Sequence, residues 1–294
     1  MCTAVYFREF LRQYMMAKRP QLDDYPAWNH NQYVLDSIAW ASDPLYGWCN
    51  KNFKKDGTPY NVYTDGLKVF TTIDSRMQRY AEEAVYEHIA NFLQPAFNKE
   101  NQHKPSSPFS NQLTYAQIKS IMNRSVVQSD RYRVLKKEGA SPQEIRRSFR
   151  TPTDMTVFSY YGDLDTTMTP IDSIRYYKKF LRAGFMSMDP KTGAVKAYVG
   201  GIDYTHFMYD MVTGGRRQVG STIKPFLYSL AMQNGFSPCD KAPNRQQSYR
   251  VGDSWWTPRN SSHARYGQMV TLKWGLAQSN NWISAYLMSK LNPH

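Results

Sequence analysis

Gly220-Ser221-Thr222-Ile223-Lys224-Pro225-Phe226, continuing to Asn234-Gly235, is the stretch from which the rest of the chain is read. As a helix it places Ile223, Phe226, Leu227, Leu230 and Ala231 at i, i+3, i+4, i+7 and i+8, the stripe of a helix buried along one face. Gly235 is the expected C-terminal stop, because glycine takes the left-handed backbone that closes a helix. Ser221 stands at the other end, where the first N–H groups are unpaired and the helix dipole is positive. Lys224 lies one turn on, beside it. A hydroxyl with an amine one turn away is an activated nucleophile when burial lowers the amine's pKa and lets it take the hydroxyl proton. The same residues also describe a capping serine and a solvated lysine, and the pattern is short enough to recur by chance.

The 294 residues are enough for two or three modest domains, and 41% hydrophobic with 15% aromatic residues is a globular composition. Lys and Arg number 37 against 24 Asp and Glu, a net charge of +13 that favours anionic partners such as lipid headgroups or nucleic acid. The basic residues are spread, with short pairs such as Lys54-Lys55, Lys136-Lys137, Arg146-Arg147 and Arg216-Arg217, which argues against a dedicated nucleic-acid groove. No apolar run is long enough to span a membrane, and Arg8, Glu9 and Arg12 interrupt any signal-peptide core. Cys2, Cys49 and Cys239 fit no metal spacing and are expected to be free buried thiols, so neither metal nor cofactor is anticipated.

Along the chain, Tyr6 to Leu11 predicts a short helix, and the aromatic, turn-rich run Trp28 to Gly57 predicts irregular structure. Leu67 to Ile73 is rich in β-branched residues and predicts a strand, followed by a helix capped by Asp74 or Ser75 with Met77, Ala81, Val85 and Ile89 on one side. Residues 91–150 predict a helical insertion, with Ser141-Pro142-Gln143-Glu144 as one well-marked helix start and Arg146, Arg147 and Arg150 as solvated residues. Asp172 to Arg182 predicts a helix carrying Ile174, Tyr177 and Leu181. Phe185–Asp189 and Ala194–Val199 predict a β-hairpin around Pro190-Lys191-Thr192-Gly193. A loop-rich stretch then runs to Tyr266. Thr271 caps a helix with Leu272 and Leu276, and Ile283, Tyr286 and Leu287 mark another; Ser279-Asn280-Asn281 breaks the two, as a cap and turn or as a hydroxyl and an amide offered to one cleft.

Ser221-x-x-Lys224 followed 58 residues later by Ser279-x-Asn281 resembles the motif order of the penicillin-binding transpeptidases. The flanks resemble that family too: Gly215 to Gly220 before the serine, Lys224-Pro225-Phe226 after it, and Trp256-Thr257-Pro258-Arg259-Asn260 between the motifs. Asp65-Gly66-Leu67 into Thr71-Thr72-Ile73-Asp74, and Met188-Asp189-Pro190-x-Thr192-Gly193, are similar to the linker and transpeptidase start of bifunctional class A proteins. The resemblance implies an α/β fold of the α+β type, a penicillin-binding transpeptidase or serine β-lactamase-like domain incomplete at its C-terminus. The expected organisation is 1–66 as a junction after a missing glycosyltransferase domain, 67–175 as a linker region with a helical insertion, and 176–294 as the N-terminal part of the transpeptidase domain.

What the family does implies a D,D-transpeptidase that cross-links peptidoglycan stem peptides and binds β-lactams. Ser221 is then the nucleophile, Lys224 the base, Ser279 a proton relay and Asn281 a substrate and lysine contact, with Gly220 and Trp256 at the substrate. A lipid-linked precursor as partner of the whole protein, a membrane anchor missing from this chain, a periplasmic place at the bacterial inner membrane and no nucleic acid are further implications. The family's Lys-Thr-Gly strand does not follow Asn281 in the 13 residues to His294, so weak or no activity is expected of the bare chain. Lys191-Thr192-Gly193 precedes Ser221 and is read as a turn that matches by coincidence. A β-lactamase, a β-lactam sensor and a non-enzymatic basic binding module are the other readings. The first of these needs a carboxylate to activate water, and after Lys224 only Asp240 and Asp253 are available.

Overall fold

A computed structural model describes residues 3–215 and 217–291. The expectations placed on Cys2 and Arg216 fall outside these residues. The chain divides into two compact units, Met1–Arg216 and Arg217–His294.

In the first unit α1 (Val5–Met15) stands where a helix is predicted. The irregular structure expected of residues 28–57 is instead largely helical, with α2 (His30–Ser42) and α3 (Trp48–Lys51). No residue of α2 is buried, and its apolar Val34, Leu35 and Ile38 are exposed. Leu67 to Ile73 forms no strand: only the Thr72 hydroxyl, donating to the Val195 carbonyl, and the Asp74 N–H, donating to that of Lys196, tie its end down. Phe70 is 92% exposed, and with no ladder along its length an apolar run has nothing to make it a strand.

Asp74 caps α4 (Ser75–His88), accepting from the Arg76 and Met77 N–H groups, and a π-helical turn (Ile89–Leu93) leads into α5 (Gln94–Asn101). Ala81 and Val85 bury against Ala197 and Val199, whereas Met77 is exposed. In its place the fully buried Gln78 meets the sheet, its amide accepting from the Tyr198 N–H (2.7 Å) and donating to the Tyr198 carbonyl (2.8 Å). The insertion is helical as expected, with α6 (Tyr115–Gln128), α7 (Asp130–Lys137) and α8 (Pro142–Ser148). Ser141 and Glu144 make the capping box, and Arg146, Arg147 and Arg150 are exposed.

An antiparallel pair, β1 (Thr153–Val157) and β2 (Leu164–Met168), was not anticipated. The helix α9 (Pro170–Tyr177) starts earlier and ends sooner than its pattern suggests, leaving Leu181 beyond it. The predicted hairpin is β3 (Phe185–Met188) with β4 (Val195–Val199). Lys191-Thr192-Gly193 is its turn: the Asp189 carboxylate accepts from the Lys191 and Thr192 N–H groups, and Gly193 closes it at φ 71°.

The second unit opens with a one-turn 3-10 helix, Gly220–Ile223, and continues as α10 (Lys224–Gln233). Gly235 ends that helix at φ 89°, with the Phe236 N–H on the Ala231 carbonyl and its own N–H on that of Met232, the paired closure glycine permits. The buried face is rotated from the predicted stripe. Lys224, Leu227, Tyr228 and Ala231 are buried, while Ile223, Phe226 and Leu230 are exposed. Two short antiparallel pairs follow in the stretch read as loops: β5 (Lys241–Pro243) with the later β8 (Met269–Thr271), and β6 (Tyr249–Val251) with β7 (Ser254–Trp256). Thr271 caps α11 (Leu272–Ala277) as expected, and α12 (Asn281–Leu291) follows. Leu227, Tyr228, Ala231, Ala242, Val270, Leu272, Ile283 and Leu287 form one core that fixes α10 against the start of α12. The architecture is therefore α/β with antiparallel strand pairs. Of the thiols, Cys49 is buried and free, its pKa pushed up by burial; Cys239 is free but exposed, because it lies in the turn before β5 and not in the core.

Candidate active site

Ser221 does not lie in the first turn of α10 but one turn ahead of it, in the 3-10 helix that Gly220 enters at φ 55°. Glycine takes that left-handed backbone without the steric cost other residues meet. Pro225, in the first turn of α10, has a ring φ already suited to a helix start. The Ser221 side chain is exposed and has no hydrogen-bond partner among the described residues.

Lys224 begins α10 on its buried face, 5% exposed. Its Nζ donates to the Ser279 carbonyl, to Ser279 Oγ at 3.0 Å and to Asn281 Oδ1 at 2.7 Å. Burial pushes this amine below its ordinary pKa. Three acceptors satisfy the three N–H groups of an ammonium. A neutral amine donates to two of them and keeps a lone pair that can take a proton.

Ser279 lies in the turn just past α11, in the left-handed region at φ 49°, which a non-glycine residue holds only when its surroundings enforce it. Asn281 opens α12, and its amide has one orientation: Nδ2 donates to the Arg259 carbonyl (2.8 Å), so Oδ1 faces Lys224. The Asn281 N–H donates to Asn260 Oδ1 (3.0 Å), and Trp282 Nε1 donates to the Pro258 carbonyl (3.1 Å). Pro258 to Asn260 are thus pinned to the head of α12.

A cleft of about 1060 Å³ opens over this arrangement, lined by Gly220, Ser221, Lys224, Trp256, Arg259 and Asn281 among others. Ser279 is not in its lining and reaches it through Lys224. Trp256 is half exposed on β7 and forms an aromatic wall. No carboxylate lines the cleft among the described residues. Nor do the described residues include a cluster of His, Cys, Asp and Glu that could hold a metal ion.

Sequence reasoning missed the supports of this site. Asn260 stands in the run Trp256 to Asn260 without a task of its own, and the helix marked by Ile283, Tyr286 and Leu287 gives the neighbouring Trp282 no polar task. Asn244 and the central Asn280 are buried asparagines, which no periodicity marks.

Residues 104–181 match the penicillin-binding protein middle domain, and residues 183–294 the penicillin-binding protein transpeptidase domain. Penicillin-binding protein 1A of Neisseria flavescens is 28% identical over 274 residues, covering 81% of this chain and 32% of that protein. Penicillin-binding protein 1A of Vibrio cholerae is 26% identical over 303 residues, covering 89% and 35%. Among solved structures, penicillin-binding protein 1A of Haemophilus influenzae matches at 19% identity and a TM-score of 0.47, over 91% of this chain and 40% of that one. The chain spans about a third of the length of the curated relatives it matches.

Proposed function

This chain belongs to the class A penicillin-binding proteins, and on that premise we propose that its cleft performs serine acyl transfer on D-alanyl-D-alanine stems of peptidoglycan. Lys224, neutral, takes the Ser221 hydroxyl proton as Oγ attacks the carbonyl between the two terminal D-alanines. The tetrahedral carbon collapses, the C–N bond breaks, and the proton that Lys224 took passes through the Ser279 hydroxyl to the departing amine. An ester joins the shortened stem to Ser221. An amine of a neighbouring stem then attacks the ester, forming the cross-link and returning the serine. Gly220 and Trp256 border the bound peptide. A β-lactam acylates the same oxygen by opening its strained amide.

The observation that carries this reading is the buried Lys224 amine, held by Ser279 and Asn281 and lining one cleft with the exposed Ser221 hydroxyl. The absence of a carboxylate from the described lining favours a long-lived acyl-enzyme over β-lactamase turnover. Within these 294 residues no Lys-Thr-Gly follows Asn281, so the oxyanion donor of such a strand is not supplied and acylation by them is slow. For the whole protein the reading implies a bifunctional glycosyltransferase and transpeptidase at the bacterial inner membrane, its catalytic domains periplasmic and its substrates the stem peptides and their lipid-linked precursor. No helix among the described residues is long and apolar enough to cross a membrane.

Fluorescent penicillin tests the assignment. Covalent label that an unlabelled β-lactam blocks, and that Ser221→Ala loses, is the expected result. Label retained by Ser221→Ala would contradict it.

A further inference from the structure

Asn244 is fully buried in the turn after β5. Its backbone N–H donates to the Gln268 carbonyl and its own carbonyl accepts from the Gly267 N–H, each at 2.9 Å. Both hydrogens of its side-chain amide are used, on the Ala264 carbonyl (2.9 Å) and the Arg265 carbonyl (2.8 Å). With Nδ2 so committed, Oδ1 faces the other way and accepts from Asn280 Nδ2 at 2.8 Å. That contact orients Asn280 in turn. Its Oδ1 accepts from the Trp282 N–H (2.9 Å) and the Ile283 N–H (3.1 Å), capping α12. Neither amide has room to flip, because each reversed form sets oxygen against oxygen or N–H against N–H.

Asn280 separates the two residues that hold Lys224. On one side is Ser279 at its left-handed backbone; on the other is Asn281 in the first turn of α12. We propose that Asn244, which belongs to neither motif, is a positioning residue for the reaction: through Asn280 it fixes the turn that presents Ser279 and Asn281 to Lys224 Nζ. This rests on the reading of Lys224 as the base. Buried polar chains in which every member is satisfied hold one arrangement, since any alternative leaves a group unpaired in a low-dielectric interior. Lys224 is thereby held by a residue remote from it in sequence, and a small misplacement of a base is costly.

The experiment compares Asn244→Leu, Asn280→Asp and Val270→Ala. Asn280→Asp keeps the cap acceptor and removes the donor to Asn244. Val270, buried on β8 opposite Ala242, has an apolar side chain that is no member of the chain of amides and controls for lost stability. Penicillin acylation is followed against pH, and the Lys224 amine is titrated directly by NMR of protein carrying 15N-lysine, assigned with Lys224→Arg. Other titratable groups of the cleft are Tyr249, Arg250 and Arg259, present in every variant. The expected result is a fall in acylation of roughly ten- to a hundredfold, with a displaced acid limb and a displaced Lys224 titration, in the two asparagine variants and not in Val270→Ala. Asparagine variants within about twofold of Val270→Ala, with both pH readouts unmoved, would overturn the proposal. If Asn244→Leu does not fold, Asn280→Asp is judged by the same criteria. If the parent protein itself is not acylated, the titration still decides: a Lys224 shift in the uncharged Asn244→Leu that Val270→Ala does not show sustains the positioning role, and an unmoved one refutes it, since the charge of Asn280→Asp alone moves the amine.

Discussion

Lys224→Met removes the amine and keeps an unbranched side chain of similar length, so it separates charge from packing. Lys224 is 5% exposed, and burial lowers its pKa from the ordinary 10.5. The unfolded chain therefore binds more protons than the folded one between the folded pKa and 10.5, and folding stability rises with pH across that window. The slope contributed by one such group reaches about 1.4 kcal/mol per pH unit. Below the folded pKa and above 10.5 its contribution is flat. Other groups of the second unit, such as Tyr228, pushed up to about 12 by burial, are present in both proteins and cancel in the difference. Urea denaturation at intervals from pH 7 to pH 10.5 is the assay, with stability of the parent minus that of Lys224→Met as the quantity. It is expected to grow with pH, while penicillin acylation by the variant falls by about a hundred- to ten-thousandfold. A difference that is flat or declines with pH would mean that Lys224 keeps an ordinary ammonium, and the base assignment would fail.

Asn281→Asp sets a carboxylate where Oδ1 now meets Lys224 at 2.7 Å; the opposite charge holds the amine protonated, and the acid limb of the acylation profile is expected to move to higher pH. Ser279→Gly relieves the φ of 49° while deleting the hydroxyl, so acylation should fall although stability holds or rises by about 0.5–1 kcal/mol in denaturant titration, whereas Ser279→Ala keeps the strain and loses both. Leu287→Ala, at a fully buried site of the second unit's core, should cost about 2–5 kcal/mol in the same titration.

The helix after Ser221 was legible because its apolar spacing and Gly235 point to the same element and the same end. Its buried face was misread because periodicity counts apolar residues, and this helix buries Lys224 and Tyr228 in preference to Ile223 and Phe226. The pair β6 and β7 turns at Gly252-Asp253, with Gly252 at φ 58°, a fair hairpin signal that strands of three residues are too short to support. Leu67 to Ile73 had strand composition but no partner ladder, which a single segment cannot reveal. In the site, the motif spacing singled out Ser221, Lys224, Ser279 and Asn281, and the fold brings Lys224 onto Ser279 and Asn281. The hydrogen bonds that orient them, from Asn244, Asn260 and Trp282, come from residues whose chemistry is ordinary until the fold assembles them.

The most direct measurement is the mass of the intact protein after incubation with benzylpenicillin, followed by peptide mapping, on the parent chain and Ser221→Ala. One adduct of the whole penicillin mass on the peptide that holds Ser221, absent from Ser221→Ala, is the predicted result. A folded parent whose adduct sits on another residue, or persists in Ser221→Ala, would contradict the account.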